Sequence, residues 1–162
     1  MNDSMSETAE LLAGFEGERP IILLVDDNEQ NLELLQAYLE TLPCIVEVAR
    51  DGVEALERVR ELDPDIIVLD VMMPRMSGFQ VCETLRRDPG LRDIPVIMVT
   101  ALNEVGDVER AVDAGADDFL TKPVNRLELV TRVTSLLRVR QLKRQLDKAV
   151  DEVERMRREK SD

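Results

Sequence analysis

Asp65-Ile66-Ile67-Val68-Leu69-Asp70 is the stretch on which the fold turns. Its four central residues are all apolar and do not alternate with polar ones, so the segment is apolar on both faces of an extended chain. Such a strand belongs inside a parallel sheet covered by helices on both sides. Asp63-Pro64, just ahead of it, ends whatever helix precedes it. Working outward, the same kind of run recurs. Ile21-Ile22-Leu23-Leu24-Val25 ends in Asp26-Asp27, and Val96-Ile97-Met98-Val99 ends in Thr100. Ile45 to Val48, interrupted by Glu47, and Phe119-Leu120 read as shorter strands, the last ending at Thr121-Lys122-Pro123.

Between these runs the apolar residues fall at helical spacing. Leu32, Leu35, Tyr38, Leu39 and Leu42 form one set, and Val53, Leu56 and Val59 follow Asp51-Gly52. Phe79, Cys82 and Leu85 follow Gly78, and Val105, Val108, Ala111 and Val112 precede Gly115, which is expected to cap that helix. Strand and helix alternate five times. The expected fold is α/β, a doubly wound five-stranded parallel sheet of the flavodoxin-like order with five helices.

Three segments are expected. Residues 1–19 are small and polar and read as a mobile arm, although Leu11, Leu12 and Phe15 break the pattern. Residues 20–137 carry the α/β domain. Residues 138–162 prolong the last helix, which starts near Asn125 and meets no Pro or Gly before Lys160. In that extension Val139, Leu142, Leu146, Ala149, Val153 and Met156 are spaced by 3, 4, 3, 4 and 3 residues, a heptad seam. Glu152 and Arg157 flank it where they can pair across a parallel dimer. A solvated single helix is the alternative, because under three heptads is marginal alone; a dimerising or signal-transmitting helix is the favoured reading.

Composition narrows the function. The chain of 162 residues has a net charge of −13, which repels phosphates and disfavours nucleic acid as a direct partner. From Arg138 to Lys160 there are nine Lys/Arg against five Asp/Glu, a net of +4, which leaves −17 on the remainder. No apolar run approaches the roughly 20 residues of a membrane helix, and no signal peptide is visible, so a cytoplasmic protein is expected. Cys44 and Cys82 do not pair as metal ligands and read as small buried apolar residues. Histidine is absent. That excludes histidine acid–base catalysis, Ser-His-Asp triads and histidine-ligated metals, and leaves oxygen ligands for any cation.

In an open α/β sheet, ligands gather beyond the carboxyl ends of the strands. Here those ends supply Asp26, Asp27, Asp70, Thr100 and Lys122. Three close carboxylates repel one another unless a cation neutralises them. Magnesium suits such a group, with manganese as the alternative; two carboxylates, a backbone carbonyl and waters complete its octahedron. The ion also holds a phosphoryl group in line for attack by a carboxylate oxygen. Lys122 offers charge to the phosphoryl oxygens and Thr100 a hydroxyl donor. The product is an aspartyl phosphate.

LLVDDN (Leu23–Asn28), DIIVLDVMMPRMSG (Asp65–Gly78), PVIMVTAL (Pro95–Leu102) and GADDFLTKP (Gly115–Pro123) resemble the four signature blocks of bacterial response-regulator receiver domains. The resemblance covers about residues 20–137. It implies a signalling switch rather than an enzyme, with Asp70 as phosphoacceptor. It implies that Asp27, Asp70 and the backbone carbonyl of Met72 bind magnesium directly, and Asp26 through water. It also implies Thr100 and Phe119 as a switch pair, Lys122 as a phosphoryl contact, and a cis peptide bond at Pro123. Without histidine the chain cannot supply its own phosphohistidine, so a histidine kinase or histidine phosphotransfer protein is the implied donor. Phosphorylation is expected to reshape the surface of the fourth helix, fifth strand and fifth helix. Met72 and Leu102, two residues after Asp70 and Thr100, are apolar where polar residues can orient a hydrolytic water, which predicts a long-lived phosphoryl state.

Three other readings compete. The DVMMPRMSGFQVC stretch and the long helix resemble receivers that precede cyclic-di-GMP synthase output domains, so the output is expected in a longer parent chain or a separate partner. An aspartate-nucleophile phosphatase of the haloacid dehalogenase class wants a second aspartate two residues after the nucleophile, where Met72 stands. A phosphate-blind scaffold is disfavoured by the intact set of acceptor-site residues.

Overall fold

The computed structural model describes residues 18–101 and 105–161. The expected mobile arm over 1–19 therefore lies almost wholly outside the described residues, as does Leu102. The elements follow in strict alternation. They are β1 (Ile21–Val25), α1 (Glu29–Leu39), β2 (Ile45–Ala49), α2 (Gly52–Leu62), β3 (Ile66–Asp70), α3 (Gly78–Arg87), β4 (Val96–Thr100), α4 (Val105–Asp113), β5 (Asp118–Thr121) and α5 (Arg126–Ser161). All strand pairs are parallel, in the order β2-β1-β3-β4-β5. This is the flavodoxin-like order, with the crossover beside β1 and β3.

Because successive strand residues point to opposite faces, the unbroken apolar runs fill two cores at once. Leu23, Val25, Ile67, Leu69 and Met98 pack with Ala55 and Val59 of α2, Phe79, Val81 and Leu85 of α3, and Ala111 of α4. Ile22, Leu24, Ile66, Val68 and Ile97 pack with Leu32, Leu35 and Leu39 of α1 and Leu129, Val133 and Leu137 of α5. Every residue of β3 and β4 is buried, as expected of strands paired on both sides.

Helix boundaries follow local chemistry. Asn28 caps α1 by accepting from the amides of Gln30 and Asn31, Asp51 caps α2 through the amide of Glu54, and Ser77 with Gln80 forms a capping box on α3. Gly115 (φ 93°) closes α4 in the left-handed region, where its amide and that of Ala116 bond the carbonyls of Val112 and Ala111. Not every apolar residue at helical spacing is buried. Val53 and Val112 are 52% and 64% exposed. The faces of α2 and α4 that meet the sheet are instead set by Ala55 with Val59 and by Ala111 with Ala114, one residue round the helix.

The long last helix is continuous from Arg126 to Ser161. Its first part is held by Leu129, Val133 and Leu137, and beyond that basic residues clasp the amino-terminal edge of the sheet. Arg144 pairs with Asp65 at 2.8 Å, Lys143 with Asp93 at 2.9 Å, and Arg140 donates to the carbonyl of Asp93 at 3.3 Å. Asp65 is itself buried and accepts from the amide of Ile21. Among the described residues no helix is long and apolar enough to cross a membrane.

Candidate functional site

Asp26 and Asp27 leave the end of β1 and Asp70 ends β3, the strand paired beside it. Parallel pairing in register brings both strand ends to the same edge. One carboxylate oxygen from each of the three aspartates lies within 4.8 Å of the others. Asp26 and Asp70 are buried, whereas Asp27 faces solvent. Local bonds hold the group. The amide of Asn28 donates to Asp26 Oδ1 at 2.9 Å, and the amide of Met72 donates to Asp70 Oδ1 at 3.4 Å.

Lys122 arrives from the far side. The Lys122–Pro123 peptide bond is cis, and the Lys122 amide donates to the carbonyl of Thr100. The ammonium lies 3.1 Å from Asp70 Oδ1 and 3.9 Å from Asp26 Oδ2. Burial first, and the charge of Asp26 second, push the Asp70 carboxyl up to about 6, against the pull of Lys122. One ammonium does not balance three carboxylates, and the donor set is oxygen only. The residues therefore fit a small hard dication such as Mg2+ or Mn2+.

Thr100 ends β4 and is buried. Phe119 sits in β5 opposite Met98, two residues before Thr100, so Thr100 and Phe119 share one sheet face. Phe119 is half-buried against the core formed with α2, α3 and α4. The side chain of Met72 is 72% exposed at the mouth of the site. Beside it a cleft of about 380 Å3 opens between α1 and the segment after β5, lined by Asn31, Leu34, Val99, Lys122 and Pro123 and bordered by Asp26.

Two supporting positions escape a reading by residue type. Gly78 starts α3 directly under the site: its amide donates to Val71, and a Cβ there would collide with the backbone carbonyl of Asp70. Arg86 staples α3 to the α4–β5 corner, donating to the carbonyls of Gly115, Arg92 and Ile94 and to Asp117. A glycine at a helix start signals the first; no local pattern signals the second.

A parallel α/β sheet with three aspartates and a lysine at its carboxyl edge defines a class of phosphoryl-accepting switch domains. The comparisons with known proteins agree: residues 22–134 match the response regulator receiver domain, and the chain belongs to that family. It is 50% identical over 117 residues to the response regulator PleD of Caulobacter vibrioides, covering 72% of this chain and 26% of that protein. It is 44% identical over 119 residues to the DNA-binding dual master transcriptional regulator RpaA of Synechocystis, covering 74% of this chain and 49% of that one. The chain thus spans half or less of these two relatives. Among solved structures, it resembles the receiver domain of a signal transduction histidine kinase from Syntrophus aciditrophicus (TM-score 0.69, 41% identity, 73% of this chain and 89% of that one). It also resembles the chemotaxis response regulator CheY4 of Vibrio cholerae (TM-score 0.69, 28% identity, 74% and 99%).

Proposed function

We propose that this receiver accepts a phosphoryl group on Asp70 from a phosphohistidine of a partner kinase or phosphotransfer protein. An Asp70 carboxylate oxygen attacks phosphorus, the P–N bond breaks, and the electron pair leaves on the imidazole nitrogen of the donor. A bound Mg2+ or Mn2+ supplies charge neutralisation to the incoming phosphoryl oxygens. Asp27, Asp70 and the carbonyl of Met72 are assigned as its direct ligands, and Asp26 as a ligand through water. Lys122 exchanges its contact with Asp70 for the phosphoryl oxygens, and the Thr100 hydroxyl donates to them. The observation that carries this reading is the meeting of the three aspartates within 4.8 Å of one another, with Lys122 3.1 Å from Asp70.

Thr100 moving toward the phosphoryl group vacates room on the sheet face it shares with Phe119. Inward rotation of that ring then changes the α4–β5–α5 surface and the output read from α5. The cleft beside Lys122, with Leu34 exposed on its rim, fits the donor protein. The chain acts as a cytoplasmic switch rather than an enzyme, forms a homodimer through residues 138–162, and passes its signal to an output protein or domain without touching nucleic acid itself. Apolar Met72 leaves the hydrolytic water unplaced, so the phosphorylated state is long-lived.

The test is phosphorylation by acetyl phosphate, or capture of beryllofluoride, with magnesium, comparing wild type with Asp70→Asn by intact mass. Wild type gains one phosphoryl group and Asp70→Asn gains none. Equal modification of both overturns the assignment.

A further inference from the structure

The face of α5 that meets the receiver does not end with the core. Leu129, Val133, Leu137, Arg140 and Arg144 fall within about 80° of the helix circumference, with Lys143 on the flank of that stripe. The stripe is apolar under the sheet and turns basic where the helix passes Asp65 and Asp93. Basic residues on a long helix are ordinarily solvated, and exposed ion pairs contribute little. Two features set these apart. Arg140 is half-buried, and its Nε is shut off from solvent. The acceptors beneath the helix are also held in place by the receiver itself. Asp65 and Ile21 bond each other in both directions, the Ile21 amide to Asp65 Oδ2 and the Asp65 amide to the Ile21 carbonyl, each at 2.8 Å. Asp65 Oδ1 is left to face Arg144. In the turn after α3, the carbonyls of Arg92 and Ile94 accept from Arg86, and that of Asp93 accepts from Arg140. The turn that presents the Asp93 carboxylate to Lys143 is thus fixed from two sides.

From this preorganisation we infer that Asp65 and Asp93 are positioning residues for the output helix. Acting through Arg144 and Lys143, they fasten residues 138–145 to the receiver as part of its folded body. The joint between switch and output then falls beyond Arg144, not at Leu137 where the apolar packing of α5 stops. Burial raises the Asp65 carboxyl above its ordinary range in spite of the Ile21 amide, Arg144 and Arg140, and Asp63 adds to the rise. This carboxylate therefore adds little net stability, and what it contributes is the place at which the helix lies. Asp93 works the other way. A hydrogen bond from Lys143 holds its carboxyl below the ordinary range, a weak favourable tie half in solvent.

The inference rests on the reading of α5 as the output element, and amide exchange of the full chain, followed by mass spectrometry, tests the fastening by itself. In wild type, residues 138–145 are protected, and remain so on dilution. Arg144→Glu sets a second carboxylate against Asp65 and speeds exchange there by about 10-fold. Exchange at residues 66–70 and phosphoryl uptake at Asp70 stay as in wild type. Adding Asp65→Asn removes the repulsion, keeps an acceptor for the Ile21 amide, and brings exchange back to within about 3-fold of wild type. Lys143→Glu and Asp93→Lys each speed exchange by about 3-fold, and the two together restore it. Protection that vanishes on dilution belongs to pairing between copies and overturns the inference, as does an Arg144→Glu variant that exchanges like wild type. An Arg144→Glu effect undiminished by Asp65→Asn overturns the role of Asp65, and a swapped pair that stays loose overturns that of Asp93. Phosphoryl uptake measured by mass on the same samples reports on Asp70 separately, so failure of the switch and failure of the fastening are distinguished.

Discussion

Asp70→Asn should make the metal-free protein more stable, not less. The Asp70 carboxyl is raised from 3.8 to about 6, chiefly by burial and by Asp26, with the opposing pull of Lys122 already included. An acid whose folded-state pKa is raised contributes its stability below the unfolded value and loses it as pH climbs through the folded one. For Asp70 the window runs from about pH 4 to about pH 6, and a shift of about two units corresponds to roughly 3 kcal/mol of folding free energy lost above it. Asparagine keeps the shape and can still accept from the Met72 amide, yet it carries no charge. In chelator at about pH 8 the variant should therefore gain about 2–3 kcal/mol in urea denaturation, and near pH 4 the two proteins should converge. Saturating Mg2+ should close the gap at high pH by stabilising wild type alone. A variant no more stable than wild type at high pH in chelator, or a gain unchanged by pH, refutes the reasoning.

Other perturbations have outcomes set by the same geometry. Gly78→Ala should cost about 2–3 kcal/mol, because the added methyl collides with the backbone of Asp70, and calorimetry will show it. Arg86→Met removes a guanidinium bonded to three carbonyls and Asp117, and should cost about 2–4 kcal/mol in urea titration. Met72→Asn should hasten loss of the acyl phosphate by about tenfold, followed by mass over time, while leaving its formation unchanged. Cys44 and Cys82, whose thiols burial pushes up to about 11, should react far more slowly with a thiol reagent in the folded protein than in urea.

The fold was legible because β1, β3 and β4 are apolar on both faces, a pattern that few architectures other than a helix-covered parallel sheet satisfy. The acidic group was legible for a related reason: the β1, β3, β4 and β5 runs stop abruptly at a polar residue, and parallel pairing sends those stops to one edge. What stayed hidden depends on tertiary approach. Arg140, Lys143 and Arg144 look like an ordinary solvated helix face until Asp65 and Asp93 are found beneath them. Arg86 gains its role only when Arg92, Ile94, Gly115 and Asp117 come together around it. The exposure of Val53 and Val112 was not legible either, because helical spacing gives a face without saying how far round the helix the sheet lies.

The two charged sides of the site are anchored unequally. Asp70 ends β3, an interior strand bonded on both flanks, while Lys122 follows β5, which among the described residues is a border strand with a neighbour on one flank only. Local opening events that expose amides to solvent exchange begin at borders and reach interior strands last. Deuterium uptake should therefore be quick around Lys122 and slow through residues 66–70, with Asp70 staying fixed and the cationic side doing the travelling.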